Sequence, residues 1–215
     1  VYRIDPESEE VSAVIEVPVF VSTTGALGHE MSAGAGSVWM VTKGEKGAFD
    51  ALARIDPAKD QVEATIPLGH PGAGVAATDE AVWVTSPDDG VLVRVDPVSE
   101  EVVAEVEGLE APNLVAAGDE GVWVLSGFNS ERTGGDGSVT RIDPETNEIS
   151  AAVRIDEDAG QAGDVALGEG FVWARTQYTL LVKIDPATNA IVERYTDQKG
   201  IGTDFAFNNV WRVPV

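Results

Sequence analysis

Apolar and polar residues alternate in five segments, each of which follows an Ile-Asp-Pro or Val-Asp-Pro triplet. Six residues beyond the Asp of each triplet stand Val11, Val62, Val102, Ile149 and Ile191. Ten residues beyond it stand Ile15, Ile66, Val106, Val153 and Tyr195. A period of two is typical of a strand with one buried face, so the pattern predicts five such strands. In the fifth, Glu193 replaces the alanine that the others carry midway, which places that strand near an edge.

The alternating segment belongs to a longer repeat. A Val-Trp pair recurs with its tryptophan at Trp39, Trp83, Trp123, Trp173 and Trp211, and each Asp-Pro is preceded two positions earlier by Arg or Lys. Each unit contains a small apolar segment, a Gly or acidic turn, the Val-Trp strand, a strand ending in Asp-Pro and the alternating strand. Four short strands in 40–50 residues are typical of a β-propeller blade.

The two ends of the chain carry complementary parts of one unit. The chain begins "VYRIDP", which matches a third strand, and ends with "GTDFAF" and "NNVWRVPV", which match a first and a second strand. We therefore expect an all-β, single-domain β-propeller over residues 1–215, with five four-stranded blades. The last blade is closed by N- and C-terminal strands, because closure removes exposed sheet edges.

The residues that recur in every repeat of the chain are interpreted as structural. Asp accepts hydrogen bonds from backbone N–H groups two residues on, and Pro presets φ for the next position, so Asp-Pro predicts a hairpin turn between the third and fourth strands. The tryptophans are expected to pack between blades. The Arg or Lys before the triplet is expected to make a surface ion pair or a turn contact.

Composition narrows the classes of partner. Asp and Glu number 37 against 14 Lys and Arg, a net charge of −23, which argues against nucleic acid and anionic membranes as partners. No stretch approaches 18 consecutive apolar residues, so no membrane span is expected. There is no cysteine, which excludes disulfides and Cys-ligated metal. The chain begins with Val and shows no signal sequence, so a processed or trimmed chain is expected.

Candidate chemistry lies where the units depart from the repeat. One aligned position just before the first strand carries Glu30, Asp164 and Asp204, and the position before it carries His29 and Asn113. In a propeller these positions surround one channel mouth. Hard cations prefer oxygen ligands, so Glu30, Asp164 and Asp204 are candidate ligands for Ca²⁺ or Mg²⁺. A water-filled polar channel mouth is the alternative.

Two long loops between the second and third strands open on the same face. The loop at 42–51 brings Phe49 above the ring, and the loop at 126–138 brings Phe128 and Arg132. Arg175 and Tyr178 join them from a shorter segment. Aromatic and polar groups over a concave centre favour a small-molecule site. Solvated loops with no ligand are the alternative.

The segments "VAAGDEGVWVLS" (115–126), "SVTRIDPETNEI" (138–149), "DVALGEGFVWA" (164–174) and "LLVKIDPATNAIV" (180–192) carry a family resemblance. The chain resembles YVTN/YncE-like propellers and, more loosely, virginiamycin B lyase-like (streptogramin lyase) proteins. The resemblance implies a periplasmic or secreted propeller. Only two histidines are present and no nucleophile–base pair is visible, which favours a scaffold that binds a small molecule or protein partner on the channel-mouth face. The resemblance implies, as an alternative, a metal-assisted lyase or hydrolase, in which His29 and Glu30 would be the base and the metal-associated carboxylate.

Overall fold

A computed structural model of the chain describes residues 1–17, 31–44, 49–127, 137–156, 163–176 and 179–195. Within these ranges every regular element is a β-strand. No helix in the described part of the chain is long and apolar enough to cross a membrane.

The strands follow the predicted order along the chain. An N-terminal hairpin consists of β1 (Tyr2–Ile4) and β2 (Val11–Val14). Blade 1 consists of β3 (Met31–Gly34), β4 (Ser37–Thr42), β5 (Ala51–Asp56) and β6 (Gln61–Pro67). Blade 2 consists of β7 (Val75–Ala77), β8 (Val82–Ser86), β9 (Val91–Asp96) and β10 (Glu101–Val106). Blade 3 consists of β11 (Pro112–Gly118), β12 (Gly121–Ser126), β13 (Ser138–Asp143) and β14 (Glu148–Arg154). Blade 4 consists of β15 (Asp164–Gly168), β16 (Phe171–Arg175), β17 (Leu181–Asp185) and β18 (Ala190–Tyr195).

Each blade is an antiparallel meander. Strands that follow one another in sequence are hydrogen-bonded neighbours, which gives four four-stranded sheets and one two-stranded sheet among the described residues. The first strands β3, β7, β11 and β15 contact one another from blade to blade. Glu193 lies in β18, the outermost strand of blade 4, as its polar position predicts. The all-β blade architecture is thus confirmed.

The Asp-Pro turns have the predicted conformation. The Oδ1 atom of Asp96 accepts hydrogen bonds from the N–H groups of Val98, at 2.7 Å, and Ser99, at 3.0 Å. These bonds favour the ionised carboxyl, so they lower the pKa of Asp96. The residue that ends each turn has a positive φ of 54–59°: Glu9, Asp60, Glu100, Asn147 and Asn189.

Tryptophans fill the spaces between blades. Trp39, Trp83 and Trp123 are at most 1% exposed. Trp39 lies in one core cluster with Val82, Val84 and Val93 of blade 2. Burying an indole removes roughly 150–250 Å² from water, an upper bound on the order of 4–6 kcal/mol for each tryptophan. These three tryptophans therefore occupy the predicted inter-blade positions.

A second contact joins the blades at their surface. Arg94 of blade 2 stacks over Trp83 of its own blade, 5.2 Å from the ring centroid. Its Nη1 atom donates to the carbonyl of Pro144, at 2.7 Å, and to Oδ1 of Asn147, at 2.9 Å, both in the Asp-Pro turn of blade 3. We call this contact, between a third-strand cation and the next blade's turn, the arginine joint.

The arginine joint recurs at each described boundary. Arg3 of the hairpin donates to Pro57 and Asp60 of blade 1, at 2.9 and 3.0 Å. Arg141 of blade 3 donates to Pro186 and Asn189 of blade 4. Arg54 of blade 1 pairs with Glu100 of blade 2, with 2.8 Å between Nε and Oε1, but its N–H is not aligned for a hydrogen bond. The predicted turn contact is therefore made to the neighbouring blade.

Closure of the ring stays a prediction. The hairpin supplies the expected third and fourth strands of the closing blade, β1 and β2. The expected first and second strands, at 202–215, lie outside the described residues.

Candidate functional site

The channel-mouth face is the face at which the first strands begin and the second strands end. Here blades 2 and 3 approach closely at Gly74, where an added Cβ would lie 2.7 Å from the carbonyl oxygen of Asn113. The hydroxyl of Thr85 links the two blades, because it accepts from the N–H of Gly74 and donates to that same carbonyl, both at 2.8 Å. Thr85 is fully buried, so these bonds are shielded from water.

Three of the predicted site residues lie at this end of the described blades. Asn113 follows the first residue of β11, and its side chain packs against Gly127, where a Cβ would lie 2.5 Å from the Asn113 Cβ. Asp164 begins β15 and lies opposite Arg175, the last residue of β16. Asn113 and Asp164 are each only 8% exposed, so both are part of the wall of this face.

The other predicted site residues lie outside the described residues: His29, Glu30, Phe128, Arg132, Tyr178 and Asp204. Two of the three proposed metal ligands are among them. The structure describes no group of three His, Asp or Glu side chains that could hold a metal ion in the ranges it covers. The predicted ring of carboxylates and the calcium or magnesium site therefore stay predictions.

Buried polar atoms without a hydrogen-bond partner occur at the same end of three blades. Of four such atoms in the described part of the chain, three lie here: Oδ1 of Asp50, just before β5, Oγ of Ser86, at the end of β8, and Nε of Arg175; the fourth, Nε of Arg54, lies near the opposite end of its strand. Ser86 is 1% exposed. A buried polar atom left unpaired costs about 1–3 kcal/mol, so such atoms are usually paired by water or a ligand.

A cleft of about 260 Å³ lies between blade 3 and the β10–β11 connection that joins it to blade 2. Its apolar lining includes Leu109, Pro112 and Ile149, and its polar lining includes Glu110 and Thr140. One wall is fixed by Ser126 and Ser138: the Ser126 hydroxyl donates to the Ser138 carbonyl, at 3.1 Å, and accepts from its N–H, at 3.0 Å. The cleft therefore combines a preformed wall with an apolar surface.

His70 anchors the loop between two blades on this face. Its Nδ1 lies 2.7 Å from Oδ2 of Asp89, in the loop between β8 and β9, and its Nε2 lies 3.4 Å from Oε2 of Glu105. The hydrogen bond with Asp89 is the main cause that raises the pKa of His70, and the contact with Glu105 adds to it. The histidine thus ties the loop between β6 and β7 to blade 2.

Sequence reasoning missed Asp50, Thr85, Ser86 and the serine pair of the cleft. The signal for Thr85, Ser86 and Ser126 is a polar residue at the end of an otherwise apolar second strand, as in "VWVTS" and "VWVLS". A strand end is also where polar residues commonly stand for solubility, so this signal alone does not separate a buried hydroxyl from an exposed one.

No family model matches the sequence, and no curated protein matches it. Solved structures do match. Kuenenia stuttgartiensis hydrazine synthase aligns over 81% of this chain and 52% of its own, at 12% identity and a TM-score of 0.61. Staphylococcus aureus virginiamycin B lyase aligns over 85% of this chain and 59% of its own, at 17% identity and a TM-score of 0.60. Myxococcus xanthus glutaminyl cyclase aligns over 79% and 70%, at 16% identity and a TM-score of 0.53.

These likenesses concern the fold. Together with the four-stranded antiparallel sheets, they show a fold of the β-propeller type, shared with virginiamycin B lyase. The chain spans about half of hydrazine synthase and somewhat more of the other two proteins. At these identities the chemistry of the neighbours does not transfer to this chain.

Proposed function

We propose that the protein is a β-propeller scaffold that binds a small molecule or a protein partner through its channel-mouth face. The observation that carries the proposal is that three of the four unpaired buried polar atoms among the described residues, those of Asp50, Ser86 and Arg175, lie at this end of the blades. Such atoms are retained at a cost in stability, and a ligand that pairs with them recovers that cost.

The cleft between blade 3 and the β10–β11 connection supports the proposal. It offers apolar contact through Leu109 and Ile149, and hydrogen-bonding groups through Thr140 and Glu110. At about 260 Å³ the cleft is slightly smaller than the roughly 300–1,000 Å³ typical of small-molecule sites, so it fits a small ligand. A carboxylate at the rim favours a ligand with a hydrogen-bond donor or a positive charge.

The test is a thermal-shift screen with amino acids, amines, sugars and nucleosides, followed by calorimetry of any hit. Ile149→Asp puts a charge in the cleft. The matched control is Val103→Asp, because Val103 is similarly exposed (52%, against 45% for Ile149) and does not line the cleft. We expect Ile149→Asp to weaken binding and Val103→Asp to leave it unchanged. Equal binding by wild type and both variants would exclude the cleft as the site.

A metal-assisted lyase or hydrolase is the second candidate, favoured by the likeness to virginiamycin B lyase. It would use His29 together with Glu30, Asp164 and Asp204, the three carboxylates holding Ca²⁺ or Mg²⁺. A cation bound to the folded state raises the melting temperature by mass action. This candidate predicts a calcium- or magnesium-dependent rise that is lost in Asp164→Ala and Asp204→Ala, and a response shared by wild type and variants would exclude it.

We also propose that the protein acts outside the cytoplasm, either in the periplasm or after secretion, as the family resemblance implies. The proposal also includes a ring of five blades, whose last blade combines the N-terminal hairpin with residues 202–215. The recurrence of the arginine joint, including the joint from Arg3 to blade 1, supports a hairpin that acts as part of a blade.

A further inference from the structure

Two surfaces of the described chain have the composition of an inter-blade boundary but are less covered than the boundaries between blades 1 to 4. The first is the face of blade 4 that carries Trp173 and Lys183. Trp173 is half-buried, whereas Trp39, Trp83 and Trp123 are at most 1% exposed. The second is the N-terminal hairpin, where Tyr2, Ile4 and Val11 are 68%, 62% and 55% exposed.

The hairpin positions correspond to those that receive a tryptophan elsewhere. By spacing from the Asp-Pro pair, Tyr2, Ile4 and Val11 align with Val93, Val95 and Val102 of blade 2. Val93 and Val95 belong to the core cluster of Trp39, and Val102 packs against it. The hairpin therefore presents the apolar surface that a tryptophan of a preceding blade would cover.

The polar parts of an arginine joint are present on the same two surfaces. Lys183 stands at the arginine position. Its Nζ lies 5.3 Å from the centroid of Trp173, as Arg94 and Arg141 lie 5.2 and 5.4 Å from their tryptophans, and 3.7 Å from the centroid of Phe171. The hairpin turn has the acceptor geometry: Asp5 Oδ1 accepts from Glu7 and Ser8, and Glu9 has a φ of 58°. Glu9 aligns with the acceptors Asp60, Asn147 and Asn189.

We propose that blade 4 docks on the N-terminal hairpin of the same chain, with Lys183 donating to the Pro6 carbonyl and the Glu9 carboxylate. The inference rests on the proposed five-blade ring and adds the residues that close it. Charge is complementary, since this joint pairs an ammonium with a carboxylate. Lysine can serve both acceptors, because its three N–H donors rotate freely.

The experiment is a double-mutant cycle on the 215-residue chain, with thermal melting as the readout. The first cycle contains Lys183→Ala, Glu9→Ala and the double variant. The reference cycle contains Arg141→Ala, Asn189→Ala and their double variant, and it tests a joint that the structure shows. Lys183→Ala combined with Glu100→Ala is the distant control. We expect each single variant to lower the melting temperature, and the Lys183/Glu9 double variant to melt close to the lower single variant.

Additive losses in the Lys183/Glu9 cycle, together with coupling in the Arg141/Asn189 cycle, would overturn the proposed joint. A closed ring with a different closing contact would still protect the hairpin from hydrogen exchange, so that measurement separates failure of the joint from failure of the ring. Docking between copies is tested by mixing Lys183→Glu chains with Glu9→Lys chains. Dimers that form only in the mixture, seen by sedimentation, would show contact between chains and would overturn the proposal.

Discussion

The third strands of the hairpin and of blade 2 have the same sequence pattern but different surroundings. Ile4 and Val95 each precede an Asp-Pro turn with the same hydrogen bonds, yet Ile4 is 62% exposed and Val95 is fully buried. The turn and the strand pair form from contacts inside one repeat. Burial of the apolar face depends on the next repeat, as expected of an array in which each unit contacts its neighbours.

The largest expected effect compares two tryptophans. Trp83→Ala removes an indole that is 1% exposed and should cost about 3–5 kcal/mol of unfolding free energy. If blade 4 docks on the hairpin, Trp173→Ala should cost a similar amount, measured by denaturant unfolding of both variants. A much smaller loss for Trp173→Ala would mean that its face stays uncovered.

A smaller contrast separates two neighbouring residues on the channel-mouth face. Thr85→Val removes the acceptor of the Gly74 N–H and the hydroxyl that donates to the Asn113 carbonyl, and should cost about 2 kcal/mol or more. Ser86→Ala removes a buried hydroxyl that has no partner among the described residues, so it should leave the ligand-free protein equally or more stable. Destabilisation by Ser86→Ala as large as that by Thr85→Val would contradict this assignment.

A stabilising substitution follows from the arginine joints. Glu100 has a φ of 58°, which Asn tolerates better, and Asn147 and Asn189 already serve as acceptors at this position. Glu100→Asn also removes the ion pair with Arg54, worth about 0–1 kcal/mol at this partly exposed site, and offers an amide acceptor instead. The net gain in stability should therefore be small, up to about 0.5 kcal/mol, which is one or two degrees in melting temperature. Asn147→Asp, which replaces an acceptor without removing it, is the matched control and should show no such gain.

The smallest expected effect depends on pH. The hydrogen bond with Asp89, and the contact with Glu105, raise the folded-state pKa of His70 above 6.5. The protonated histidine therefore contributes fully to folding stability below pH 6.5, and this contribution is lost as the pH rises through the raised pKa. The difference in melting temperature between wild type and His70→Gln should shrink over that range. Parallel curves at all pH values would show that the contact with Asp89 contributes nothing.

The fold could be predicted from the sequence because the same residue pattern occurs in five successive repeats. The Asp-Pro pair fixes a turn, alternation fixes the buried face of the fourth strand, and tryptophan marks the inter-blade space. Asn113, Asp164 and Arg175 could be assigned to one end of the blades by the same alignment, since strand order determines which loops share a face.

The polar detail of the site could not be predicted in the same way. The link from Gly74 through Thr85 to Asn113 depends on how closely two blades approach, which no single repeat encodes. The cleft likewise forms between Leu109 and Thr140, residues of different units that meet only when the β10–β11 connection packs against blade 3.

Hydrogen exchange of the N-terminal hairpin tests the closed-ring account most directly. An isolated two-stranded hairpin is marginally stable in water, whereas a hairpin built into a closing blade shares the stability of the whole ring. If the ring is closed, the amides of β1 and β2 should exchange as slowly as those of β9 and β10 in blade 2. Exchange at the rate of a frayed hairpin, with blade 2 still protected, would contradict the closed-ring account.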